Sequence, residues 1–166
     1  MLREFESFGL TSAAVDLGQL ILLFTGRRLG DYEFELNGCG ALPPERASIV
    51  EFRQISGYGS VTVFEGRSAR REPVQGELWA RESDGLPLRI VIRTIRGQDG
   101  HRLRNEATVD YAMSPHGALL PSSVTHREYL DDRLETESVC RYAPFRMFSS
   151  ESQIKFDEVP KEETVK

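Results

Sequence analysis

The chain has 166 residues, and a single domain of about that size buries roughly 70% of the surface that its unfolded form exposes. Its 21 Lys and Arg residues are interspersed with 26 Asp and Glu residues, which gives a formal net charge of −5. Because no basic run or stripe stands out, nucleic acid is not an expected partner.

The strongest apolar run, LGQLILLF at 17–24, is too short to cross a membrane, since a transmembrane helix needs about 20 apolar residues. At the start of the chain, Glu4 and Glu6 stand where a signal peptide would carry positive charge. We therefore expect a protein that does not span a membrane. It is either cytoplasmic or, if the full-length protein carries an export signal absent from this sequence, located in the periplasm or cell envelope.

The first predicted element is a helix over about 12–25. Leu17, Leu20, Ile21 and Phe24 are spaced so that they share one helical stripe. A lone amphipathic helix needs another apolar layer to cover it, and a sheet is the partner that this chain offers.

After Gly30, apolar residues recur at every second position, which is typical of strands with one buried face. The Gly- and Pro-rich segment 37–45 is predicted to be a loop, and so is the polar, basic segment 66–75, which is ended by Pro73. Nine strands are expected, with 47–55 and 60–64 forming one hairpin and 76–82 and 86–95 another. The remaining predicted strands are 32–36, 102–113, 119–130, 133–142 and 151–156.

The fold class is therefore mainly β (α+β). We expect a curved antiparallel β-sheet or half-barrel of about nine strands in meander order, with the N-terminal helix packed on its concave face. Residues 1–157 form a single domain, and 158–166 are a disordered tail. Alternation in 86–95 places Leu88, Ile90 and Ile92 on the concave face, and Arg89 and Arg93 on the outer face.

Catalytic motifs are weak in this sequence. His126 has one candidate partner at strand spacing, Glu128, and two ligands are too few for a metal site, so a solvated strand face is the favoured interpretation. No GxSxG elbow or phosphate-binding glycine loop is present, and Asp131 and Asp132 fit a turn. We expect neither a metal nor another cofactor.

Trp79 and the two cysteines each leave two interpretations open. Trp79 fits a core or half-buried position better than a platform on which a sugar or lipid stacks. Cys39 and Cys140 are far apart in sequence and belong to no metal-binding motif, so free thiols are favoured over a disulfide between distant parts of the chain.

A family resemblance rests on several short segments. They are GELW (76–79), LPLR (86–89), a YAM segment (111–113), LLPSSVTHRE (119–128), and Tyr142, Phe145, Arg146, Phe148, Ser152, Ile154 and Phe156. Together they resemble the C-terminal half of uncharacterised exported bacterial proteins, which are in turn similar to the LolA-like carriers (LolA, LolB and RseB types). The resemblance implies an open antiparallel barrel whose apolar concave face holds acyl chains or a lipoprotein, and it implies no catalytic residues.

Three functions follow as expectations. The first is a non-catalytic cell-envelope protein that binds a lipid, lipoprotein or other apolar ligand in the concave face. The second is a structural or protein-interaction β-domain that uses a sheet edge or the basic segment 66–72, with an envelope protein as a possible partner. The third is an enzyme acting on envelope glycans or lipids, which would need Trp79 beside two carboxylates or His126. The predicted ligand-binding residues are Leu20, Phe24, Trp79, Leu88, Ile90, Ile92, Val109 and Tyr111.

Overall fold

The computed structural model describes residues 17–65 and 68–142. These residues form two 3-10 helices, Leu17–Phe24 and Leu29–Asp31, and nine strands. The strands are β1 (Tyr32–Leu42), β2 (Glu45–Gln54), β3 (Val61–Glu65), β4 (Ser68–Glu72), β5 (Gln75–Arg81), β6 (Pro87–Gln98), β7 (His101–Met113), β8 (Leu119–Leu130) and β9 (Arg133–Arg141). The predicted strand 151–156, the helix start at 12–16 and the tail 158–166 lie outside the described residues.

The expectation of a mainly β, antiparallel protein is confirmed. Seven strands form one sheet in the order β1-β2-β5-β6-β7-β8-β9, and β3 pairs with β4 in a separate hairpin. Within the described part of the chain the sheet is open, with β1 and β9 at its edges.

The predicted hairpin between 47–55 and 60–64 is wrong, because β2 pairs with β5 instead of β3. The side-chain amide of Gln54, at the end of β2, donates to the carbonyl oxygens of Ser56 and Tyr58 at 3.0 and 2.8 Å. Its backbone N–H donates to Val74 at 2.8 Å. These bonds redirect the chain after β2, so that it leaves the main sheet at Gln54 and rejoins it at β5.

Both predicted loops are shorter than expected. Strand β1 continues to Leu42 because a bulge between Leu36 and Gly38, with Gly38 at a φ of 118°, lets the chain change register with β2 and go on pairing. In the segment 66–75, residues Ser68–Glu72 form β4, since they find a partner in β3. A Gly- and Pro-rich or basic composition thus did not prevent pairing where a neighbouring strand was present.

The tight turns were predicted correctly. Gly85 has a φ of 73° in the turn between β5 and β6, and Gly100 has a φ of 82° between β6 and β7. Asp131 and Asp132 take φ values of 49° and 64° in the two-residue turn between β8 and β9. Such left-handed backbone geometry matches the twist of a hairpin, which is why Gly and Asp are favoured there.

The core lies on one side of the main sheet, which we call the core face. One cross-strand row on this face joins Leu78, Ile90, Val109 and Val124. Ile90 and Val109 are 0% exposed and Val124 is 1% exposed. The other side, which we call the charged face, carries Arg89, Arg93, Glu106 and Asp110.

A 3-10 helix, Leu17–Phe24, packs against the core face where an α-helix over 12–25 was predicted. Leu20 is buried there, and Ile21 and Phe24 are half-buried, so the apolar stripe is used as expected. The prediction of an α-helix is wrong for Leu17–Phe24, because these residues form a 3-10 helix instead. A helix this short gains little from its own hydrogen bonds, and Gly18 weakens an α-helix further, so packing decides its form.

Strands β5 and β6 approach closely at Gly76, where an added Cβ would lie 1.8 Å from the carbonyl oxygen of Val91. We expect Gly76→Ala to lower the free energy of unfolding by about 3 kcal/mol, because the two backbones must separate. At Gly97 the nearest atom to an added Cβ is 4.0 Å away. Gly97→Ala is therefore the control, and urea unfolding should show it to be at least as stable as the wild type. Equal stability of the two variants would contradict the close approach.

Candidate functional site

Most of the predicted ligand-binding residues lie together on the core face. Five of them belong to one buried cluster: Leu20, Ile90, Ile92, Val109 and Tyr111. Phe24 packs against this cluster, and Leu88 is half-buried. Because these side chains contact one another, they fill the middle of the core face as a packed interior.

Tyr111, on β7, contacts the 3-10 helix through a hydrogen bond with the backbone of Ile21. Burial raises the pKa of its phenol to about 12, while a hydrogen bond with the backbone of Ile21 opposes that rise. The hydroxyl therefore stays protonated at neutral pH and bonds to the helix that covers the core. This contact strengthens the interpretation of the region as structural packing.

Trp79 does not join the apolar cluster. On β5 it pairs with Ile49 on one side and Arg89 on the other, which places it on the charged face. Its indole N–H donates to Glu77 at 3.2 Å, and its ring lies against Gly40, where an added Cβ would be 2.7 Å from it. Trp79 is thus half-buried with its donor satisfied.

A hollow of about 340 Å³ lies beside Trp79 on the charged face, bordered by Glu77, Arg89 and Asp110 among others. Arg89 binds Asp110 at 2.6 Å, and Arg93 binds Glu77 at 3.0 Å. Trp79 therefore does have two carboxylates near it, as the enzyme hypothesis requires. Each carboxylate is held by an arginine, which is the arrangement of an ion-pair network and leaves neither one directed at an open reaction centre.

His126 and Glu128 are buried, at 6% and 1% exposure, so the prediction of a solvated strand face is wrong. They share the core face with Val124, since residues two apart on a strand point the same way. His126 and Glu128 follow the apolar Val124 at intervals of two residues in the sequence. This spacing would have predicted that they are buried on the same face. His126 is consequently on the opposite side of the sheet from Trp79.

Glu128 belongs to a buried polar row with Asn105 and Thr94. Arg96 lies two residues beyond Thr94, and its Nη1 atom is 3.8 Å from Glu72 Oε1 on β4. Burial lowers the pKa of Arg96, and the charge of Glu128 opposes that shift. The β3–β4 hairpin thus covers this end of the core face through a polar contact.

Thr94 Oγ1 and Asn105 Oδ1 of this polar row are among the buried side-chain atoms without a hydrogen-bond partner, and so is Glu72 Oε2 on β4. Burial of such groups opposes folding unless a partner compensates for lost hydration. No group of three or more His, Cys, Asp or Glu side chains within 17–65 and 68–142 is arranged to hold a metal ion.

Burial lowers the pKa of His126 below its ordinary value of 6.5. The unfolded chain then binds this proton more readily than the folded one, so stability is lost as the pH falls through about 6.5. We expect the urea midpoint of His126→Gln to decline less between about pH 7.5 and pH 5.5 than that of the wild type. His116, in an exposed turn, supplies the control: His116→Gln should keep the wild-type decline. Identical profiles for all three proteins would contradict the burial effect.

One surface available for binding lies along β1. Among the described strands, β1 pairs only with β2, and its residues 33–38 are exposed. On its core-face side, Leu36 is 70% exposed and Phe34 is 42% exposed. Phe34 lies 5.9 Å from the ring of Phe24, so this apolar strip continues outward from the covered core.

The charged-face side of β1 is acidic. Glu35, Glu51 and Glu77 are cross-strand neighbours on β1, β2 and β5. A hollow of about 630 Å³ here is lined by the charged residues Glu33, Glu35, Glu51, Arg53 and Arg93 and by Phe34, Phe52, Gln75 and Gly76. One edge strand thus presents carboxylates on one side and apolar side chains on the other.

The two cysteines lie on opposite edge strands, Cys39 on β1 and Cys140 on β9, and both are free, exposed thiols. Nothing in the described residues therefore joins the two edges covalently.

Comparison with models of known protein families found no match, and comparisons with curated proteins and with solved structures found none either. No helix in the described ranges is long and apolar enough to cross a membrane.

Proposed function

We propose that this protein is a non-catalytic binding domain that takes up an extended segment of another protein along β1. The observation that carries the proposal is the contrast between the two parts of the core face. Its middle is occupied by the 3-10 helix, with Ile90 and Val109 fully buried, whereas the β1 edge is exposed over residues 33–38.

An exposed edge strand offers a row of backbone N–H and C=O groups to which another strand can add. The segment Tyr32–Leu36 pairs regularly with β2, while the bulge at Asn37 interrupts the edge beyond it. Bulges limit uncontrolled pairing. The geometry therefore favours addition of a short strand next to Tyr32–Leu36.

Strand addition can be tested with peptides selected from a displayed library of unstructured sequences. We expect bound peptides to slow amide hydrogen exchange in Tyr32–Leu36, because the outward backbone groups of β1 become hydrogen-bonded. The amides of β9, the other edge of the described sheet, are the internal control and should be unaffected. Peptides that protect β9 or the 3-10 helix and leave β1 unchanged would refute the proposal.

A second candidate is an apolar-ligand carrier of the cell envelope. It is favoured by the exposed Phe34 and Leu36, which continue the apolar cluster through Phe24, and by the resemblance to LolA-like carriers. In this case the sheet would curl into a half-barrel, and an acyl chain would lie on the strip beside the 3-10 helix. A buried chain of this kind contributes about 0.8 kcal/mol for each CH₂ group removed from water.

The carrier function predicts that native mass spectrometry of protein purified from its own host detects a co-purified lipid. Leu36→Asp should lose that lipid, because it places a charge in the proposed apolar path. Leu134, on β9, is 48% exposed and supplies a matched control. Leu134→Asp should keep the lipid. A lipid-free wild-type protein would count against the carrier function.

A further inference from the structure

The acidic side of β1 restricts which extended segment fits there. Glu33 is bound by Arg53 at 2.6 Å, and Glu51 accepts a hydrogen bond from the amide of Asn37. Glu77 is bound by Arg93 at 3.0 Å. The side chain of Glu35 forms no hydrogen bond or ion pair with any residue in the described chain.

Glu35 faces Glu51 directly across the β1–β2 pair. Like charges in this position repel each other, and in a sheet that repulsion is relieved when an opposite charge lies alongside. Strand β1 supplies no basic side chain of its own. A positive charge placed on the open side of β1 would relieve this repulsion.

A strand added beside β1 would also have an apolar face. Its side chains alternate between the two sides of the sheet. Those on the charged face would lie beside Glu33 and Glu35, and those on the core face would lie beside Phe34 and Leu36, which are exposed.

We infer that the natural occupant of the β1 edge is an extended segment of another protein in which Lys or Arg alternates with apolar residues. This inference rests on the proposed function and specifies the chemistry of its partner. The hollow between Glu35, Glu51 and Arg53 gives a long basic side chain room to reach past β1 toward Glu51.

A second copy of this chain fits the same edge less well. Antiparallel pairing of β1 with β1 of another copy would bring the carboxylates of Glu33 and Glu35 beside identical carboxylates. Repulsion of that kind disfavours self-association through this edge. Charge complementarity therefore selects a basic partner.

The test uses three blocked peptides that alternate valine with lysine, glutamine or glutamate, and titrates each into the folded protein at low salt. We expect the lysine peptide to bind about tenfold more tightly than the glutamine peptide, as two or three partly exposed ion pairs would give. The glutamate peptide should bind most weakly. Added salt should reduce the difference between the peptides, because it screens exposed charges.

Two variants with the same change of charge locate the effect. Glu35→Gln should lose most of the preference for lysine. Glu137→Gln is the matched control, since Glu137 lies on the same face but on β9, the opposite edge of the described sheet. It should keep the preference. Melting temperatures of both variants establish that they remain folded.

The outcomes separate this inference from the proposed function. If all three peptides bind equally and protect the β1 amides, the charge inference is overturned and strand addition stands. If no peptide binds, or if binding leaves β1 unprotected, both are overturned. If the protein alone dimerises in sedimentation experiments and Glu35→Gln strengthens the dimer, the occupant is a second copy and the inference is overturned.

Discussion

Every described strand is constrained by the two-residue alternation of its side chains, and the rest of the described structure depends on that constraint. Once Val109 and Val124 are buried, each neighbour two residues away must lie on the same face. Apolar residues fill most of these positions. Where a polar residue occupies one, as at Thr94, it is buried as well. The polar row on the core face is thus a consequence of the strand geometry.

On the charged face, the same alternation places basic and acidic side chains next to one another, and they form ion pairs. Arg93 is bound by Glu106 at 2.7 Å and by Glu77 at 3.0 Å, so charges alternate from strand to strand. Burial alone would lower the pKa of Arg93, but the hydrogen bonds and charges of its two partners raise it. Ion pairs are fewer at β1, where Glu33 is bound by Arg53 but Glu35 has no ion-pair partner in the described chain. Among the described strands, this edge strand has a neighbour on one side only. The same geometry that orders the interior of the sheet therefore leaves an acidic edge at β1 with no second neighbour among the described strands.

Packing and exposure differ between the covered part of the core face and the β1 edge. The 3-10 helix and the β3–β4 hairpin cover the core face, through Leu20 at one end and through Glu72 and Arg96 at the other. Strand β1 extends beyond this cover. Glu35 and Leu36 lie on opposite sides of this strand, so its exposed edge is acidic on one side and apolar on the other.

The sequence by itself determined the features that depend on neighbouring residues. Alternation predicted that Ile90 and Arg89 lie on opposite faces, and Gly85 and Asp131 marked turns, because strand parity and left-handed backbone geometry are local properties. For Trp79 the local signal was ambiguous, since Leu78 and Ala80 on either side of it are apolar too.

Only the tertiary structure decided which segments meet. The pairing of β2 with β5, the 3-10 form of Leu17–Phe24 and the burial of Glu128 all depend on contacts between residues that are distant in sequence. Composition around Pro43 or in 66–75 describes what a segment prefers when it is alone. A strand partner supplies hydrogen bonds that outweigh that preference, and no local pattern reveals whether such a partner is present.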